Sequence, residues 1–131
     1  MIKPHGSDEL NPLFVDNSEQ RHALEAEAEN LPSILLNSAA AANAVMLGGG
    51  YFNPLTGYMN LADAMAVAEN MHTSSGLFFP VPVLNLTSEA GVEAGSRIAL
   101  RDPNVDGNPV LAIMDVDAVE SVTEEQIDFM A

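Results

Sequence analysis

Cysteine is absent from this chain of 131 residues. That excludes disulfides, thiolate metal sites and cysteine nucleophiles, and it fits a reducing compartment. Basic residues are almost as scarce. Lys3 is the only lysine, and Arg21, Arg97 and Arg101 are the only arginines, against 19 acids and a net charge of −15. Nucleic-acid binding depends on cationic groups that displace phosphate counterions. A chain this acidic is repelled by nucleic acid and by anionic membrane surfaces. Long apolar runs are also missing: none approaches the roughly 18 residues of a membrane-crossing helix. The start, MIKPHGSDEL, lacks the apolar centre of a signal peptide. These absences predict a cytoplasmic protein with neither nucleic acid nor membrane as a partner. The Asn85-Leu86-Thr87 triplet is then an accidental glycosylation match. The acidity itself has two readings, a solvated surface or adaptation to a salty cytoplasm that screens self-repulsion.

Catalytic signatures are missing as well. His5, His22 and His72 are far apart and fall in no HxxH or HExxH spacing. No serine sits in a G-x-S-x-G context. With Lys3 the only lysine, no phosphate-cradling loop ending in Gly-Lys is present. Asp102-x-Asn104-x-Asp106-Gly107 matches the start of a calcium loop. Its twelfth position is Ile113, however, where a bidentate glutamate is required, so a tight polar turn between strands is expected. Arg97 and Arg101 lie four apart on a predicted strand and so share a face. Pairing with carboxylates is the expectation there, with an anionic ligand as the alternative. No catalytic, cofactor-binding or metal-binding residue emerges from the residues alone.

Apolar residues make up 47% of the chain, too many for a disordered tail and enough for the core of one domain. The most unusual stretch is GGGYFNPLTGYMN at 48–60. Glycine permits φ > 0 and close backbone approach, and Pro54 fixes its own φ. Tyr51, Phe52, Leu55, Tyr58 and Met59 make the stretch less polar than an ordinary loop, which predicts a loop packed into its own domain. Burial is expected for Tyr51, Phe52, Leu55 and Met59, and a β-branched residue at Gly57 is expected to disturb folding.

The flanking chain reads as follows. Residues 1–15 form an extended arm whose Leu13-Phe14-Val15 can enter a core. Ser18 to Glu29 is a surface helix capped by Asp16, Asn17 or Ser18. Ile34-Leu35-Leu36 is a short strand. Ser38 caps a helix from Ala39 to Leu47, with Gly48 as its C-terminal cap. Asn60 caps a third helix, Leu61 to Asn70, in which Met65 fills core along with the neighbouring Met59 and Met71. Residues 78–84 carry Pro80 and Pro82 at alternate positions, which predicts an edge strand or an irregular extended segment. Residues 97–101 and 110–116 read as strands, and Thr123 caps a last helix, Glu124 to Met130. Helices first and three or four strands later predict an α+β domain with a small, mostly antiparallel sheet or barrel.

Four segments together carry a family resemblance: Pro4-His5-Gly6, GGGYFNPLTGYMN at 48–60, FFPVPV at 78–83, and RIALRDPNVDGNPVLAIM at 97–114. In this order and spacing they resemble the N-terminal domain of the sulfate adenylyltransferases, and the likeness covers nearly the whole chain. The resemblance implies a PUA-like fold, a small mixed barrel or sheet with flanking helices, spanning 1–131. Its signature residues here are Gly50, Tyr51, Phe52, Pro54, Leu55, Gly57, Met59, Pro80, Pro82, Arg101, Asp102, Gly107 and Pro109. The family joins ATP, used as MgATP, and sulfate into adenosine 5′-phosphosulfate and pyrophosphate. Its catalytic motifs, of the forms Q-x-R-N-P-x-H-x-x-H and G-R-D-H-A, lie in a following domain and do not occur here. The resemblance therefore implies a scaffold for a catalytic domain, in a full-length homo-oligomer, and no complete active site in this chain. The alternative is a free-standing acidic PUA-like module that binds a protein or a small ligand.

Overall fold

The computed structural model describes residues 2–87 and 92–130. It forms two compact units, one from Met1–Gly57 and Asn85–Val119, the other from Tyr58–Leu84 and Glu120–Ala131.

The first unit is built on a three-stranded mixed sheet in the order β1-β2-β3, comprising β1 (Ser33–Leu35), β2 (Arg97–Arg101) and β3 (Val110–Asp115). β1 runs parallel to β2, and β2 antiparallel to β3. The central strand explains the sequence RIALR. Its pattern looks like the alternation of a half-exposed strand, yet Ile98, Ala99 and Leu100 are all buried. A strand with a neighbour on each side and cover on both faces needs apolar residues throughout, and only its terminal arginines reach solvent. The register steps from Leu100–Ala112 to Arg101–Val110, which leaves Leu111 as the extra residue of a bulge.

Two helices flank this sheet. Helix α1 (Ser18–Ala28) starts at Asn17, whose side chain accepts the Gln20 N–H, and it buries only Ala28. Helix α2 (Ser38–Gly48) starts one residue before the expected cap. Asn37, not Ser38, accepts the Ala40 N–H, and the Ser38 hydroxyl is free to donate to Asn104 Oδ1. The alanine run buries Ala40 and Ala41, where small side chains let a helix approach closely.

The second unit holds α3 (Leu61–Asn70) and α4 (Glu124–Met130). Asn60 caps α3 as expected, by accepting the Asp63 N–H, and Met71 ends the helix at φ 58°. Ala64 and Val67 form its buried stripe. Thr123 and Gln126 make a reciprocal capping box at the start of α4. Between the helices, residues 78–84 form the irregular extended segment allowed by the two prolines. A single bridge joins His72 to Phe78, and Phe79 and Val83 turn inward while Val81 is exposed. Without donors at Pro80 and Pro82 no ladder can form. The second half of the chain accordingly has two strands among the described residues, fewer than expected. The sheet is mixed rather than mostly antiparallel because β1, from the first half, pairs in parallel.

Candidate functional site

Asn53 is the most constrained polar side chain in the first unit. It is 7% exposed, and its side chain bonds to the N-terminal arm. Its Oδ1 accepts the Asn11 N–H at 3.2 Å. Its Nδ2 donates to the His5 carbonyl and to Ser7 Oγ, each at 2.8 Å. An amide is suited to this task because it donates and accepts at once, and a buried amide left unmatched would be destabilising. The peptide bond to Pro54 is cis.

The glycines beside it have separate reasons. The Gly48 carbonyl accepts the N–H groups of Leu13 (2.7 Å) and Phe14 (3.1 Å). The Phe14 ring lies so close that a Cβ on Gly48 would be 2.5 Å from its Cε1. The Tyr51 ring covers Gly49 in the same way, at 3.0 Å. Gly50 has φ +80° and faces the Leu10 side chain. The left-handed residue after α2 is therefore Gly50. Gly48 is still helical, and the cap residue is Gly49. Pro4-His5-Gly6 and GGGYFNP, far apart in sequence, are thus two halves of one corner.

The other signature residues divide into buried, partly buried and exposed. Met59 is buried, and Phe52, Pro54 and Leu55 are partly so. Tyr51 is 77% exposed, contrary to expectation; its ring lies against Gly49 rather than in a core. Gly57 lies outside the left-handed region, with open space where a Cβ would sit, so the structure gives no reason for a substitution there to disturb folding. Pro80 is exposed and Pro82 partly buried. Arg101 ends β2, and Asp102, Gly107 and Pro109 belong to the turn between β2 and β3. Asp102 N–H donates to the Pro109 carbonyl, and Asp102 Oδ1 accepts the Asn104 N–H. Gly107 (φ 81°) and Asn108 (φ 46°) are both left-handed. This is the tight polar turn expected in place of a calcium loop.

The two arginines meet different fates. Arg97 pairs with Glu27 of α1 at 2.9 Å and Asp115 of β3 at 3.2 Å, as expected. The hydrogen bond to Glu27 holds its guanidinium further above its usual range. Arg101 instead donates to Ser33 Oγ and the Asn108 carbonyl, and no carboxylate pairs with it among the described residues. Among the described residues, no group of three or more His, Asp or Glu side chains could hold a metal. In the second unit, burial pushes the Tyr58 phenol up to about 12, so it stays protonated at ordinary pH. No helix among the described residues is long and apolar enough to cross a membrane.

Asn53 was missed from sequence. Asparagine beside proline reads as turn chemistry, and nothing local signals partners 42 to 48 positions away. The co-occurrence of the Pro-His-Gly and GGGYFNP motifs was the available clue.

The profile of the PUA-like domain family matches residues 2–128. Sulfate adenylyltransferase of Allochromatium vinosum is 61% identical over 131 residues, covering 99% of this chain and 33% of the relative. That of Alcanivorax borkumensis is 55% identical over 132 residues, covering 100% and 33%. The chain thus spans about a third of the length of the curated relatives it matches. Among solved structures, one titled hexameric APS kinase from Thiobacillus denitrificans superposes with a TM-score of 0.70 at 34% identity, over 86% of this chain and 22% of that one.

Proposed function

We infer that this chain, which belongs to the PUA-like domain family, is the N-terminal scaffold domain of a sulfate adenylyltransferase. The observation that carries this reading is identity of 55% and 61% sustained over the entire chain but over only a third of each relative. The parent reaction is the joining of ATP and sulfate into adenosine 5′-phosphosulfate and pyrophosphate. It proceeds by in-line displacement at the α-phosphate and needs preorganised positive charge around the phosphates. Four bases stand among 19 acids, a surface that repels a triphosphate. No step of the reaction is therefore assigned to this chain. MgATP and sulfate belong to the other two thirds of the enzyme, and so does catalysis. We take residues 1–131 as one PUA-like domain of a cytoplasmic enzyme that assembles from several copies at full length.

The test is a chimera in which residues 1–131 replace the matching third of the Allochromatium vinosum enzyme. The chimera should make ATP from adenosine 5′-phosphosulfate and pyrophosphate, and the 131-residue chain alone should not. Turnover by the chain alone, or a folded chimera without activity, would overturn the reading.

A further inference from the structure

Six exposed apolar side chains gather at the glycine corner: Leu10, Leu13, Phe14, Val45, Met46 and Tyr51. Their grouping follows from the contacts that build the corner. Leu10 lies against Gly50, Phe14 against Gly48 and Tyr51 against Gly49. The Leu13 N–H is bound to the Gly48 carbonyl, and the carbonyls of Val45 and Met46 receive the N–H groups of Gly49 and Tyr51. Exposed apolar residues brought together on neighbouring segments mark an interaction surface more often than singly scattered ones do.

Number and charge together set this patch apart from the other exposed apolar residues. No Asp, Glu, Lys or Arg stands between Glu29 and Asp63, nor between Glu9 and Asp16. Of the other exposed apolar groups, Met71, Phe78 and Val81 lie in a second uncharged stretch, between Glu69 and Glu89, and number three against the corner's six; Val119 (between Asp117 and Glu120), Val105 (beside Asp106) and Ile127 (between Glu125 and Asp128) sit among acids. Covering those sites would desolvate carboxylates, which is expensive without a matching cation. The corner can be covered without that penalty.

We propose that the glycine corner is the surface on which the remaining two thirds of the sulfate adenylyltransferase polypeptide docks. This rests on the function proposed above. Two arguments favour that occupant over a second copy of this chain. Two copies each carrying −15 repel one another, and an occupant on the same polypeptide is held at high effective concentration. The arm then serves as part of the docking face, and Asn53 keeps it in place.

Hydroxyl-radical footprinting of the chain alone and of the chimera tests this. In the chimera, oxidation of Phe14, Met46 and Tyr51 should slow several-fold, while Met71 and Phe129, which are also exposed, keep their rates. An active chimera with unchanged rates at the corner, or with protection at Met71 and Phe129 instead, overturns the docking surface and leaves the function standing. A folded, inactive chimera overturns the function itself. Protection of the corner in the chain alone that grows with concentration identifies a second copy as the occupant and overturns the proposal. Tyr51→Asp supplies a second check, because so exposed a side chain tolerates the change. It should restore oxidation at Phe14 and Met46 in the chimera without lowering the melting temperature of the chain alone, and retained protection counts against the proposal. If the chimera does not fold, the same footprint is taken after adding the separately expressed remainder of the Allochromatium vinosum enzyme.

Discussion

In the sheet, Ile98, Ala99 and Leu100 are buried on a strand with neighbours on both sides, whereas at the corner Leu10, Phe14 and Tyr51 stay exposed around one buried amide. Both regions join segments distant in sequence. β2 meets β1 across more than sixty residues, and Asn53 meets His5 across 48. The sheet does so with apolar burial, which is non-directional and tolerant of sequence. The corner does so with five directed hydrogen bonds, three at Asn53 and two at the Gly48 carbonyl, which admit few substitutes. The first arrangement stabilises a fold; the second fixes the course of a surface segment.

The largest test of this contrast is Ile98→Ala. Removing a fully buried side chain from the central strand should lower unfolding free energy by about 3 kcal/mol, the transfer and cavity terms together. A loss below about 1 kcal/mol in chemical denaturation would mean that the sheet repacks and is not the rigid partner in the comparison.

Asn53→Ala comes next. It deletes three hydrogen bonds between the loop and the arm, including the acceptor of the Asn11 N–H, which should cost about 2 kcal/mol. Its distinguishing mark is local. Cleavage by protease within residues 2–16 should accelerate far more than cleavage elsewhere, because local opening of the arm then needs less free energy. Uniform acceleration would show that the corner and the sheet open together.

These two positions also show what could be read from the sequence. The strand at 97–101 was legible, but burial of all three central residues was not, because alternation cannot distinguish a central strand from an edge strand. The caps at Asn60 and Thr123 were legible because capping chemistry is local. The corner was recognised as structural, yet its key residue was not. Tyr51 and Phe52 looked like core because aromatic side chains usually are, and the arm that meets Gly48, Gly50 and Asn53 is separated from them by the whole of α1, β1 and α2. Expectations failed where the deciding partner lay far along the chain.

The glycines give a smaller effect and sharpen the comparison within one loop. Gly50→Ala forces a left-handed conformation on a residue with a Cβ and should cost about 1 kcal/mol. The Leu10 side chain 3.2 Å from that Cβ must also yield. Gly57→Ala has open space and no positive φ. By restricting the unfolded chain it should be neutral or stabilise by about 0.5 kcal/mol. Equal penalties at the two positions would remove the claim that only Gly50 is conformationally required.

The smallest expected effect is at Arg97, and salt gives it diagnostic value. Its pairs with Glu27 and Asp115 tie α1 and β3 to β2, but all three side chains are substantially exposed. Exposed ion pairs contribute little because water and salt screen them. Arg97→Gln should therefore lower the melting temperature less than Gly50→Ala does. The difference from the parent should shrink as sodium chloride is raised from about 0.01 M to about 1 M, where the screening length falls from about 30 Å to about 3 Å. The Asn53→Ala difference, arising from buried uncharged groups, should stay constant over the same range. A salt-independent loss at Arg97 would assign its role to packing of the aliphatic stem against α1 rather than to charge. The link from α1 to the sheet would then be of the same apolar kind as the core it borders.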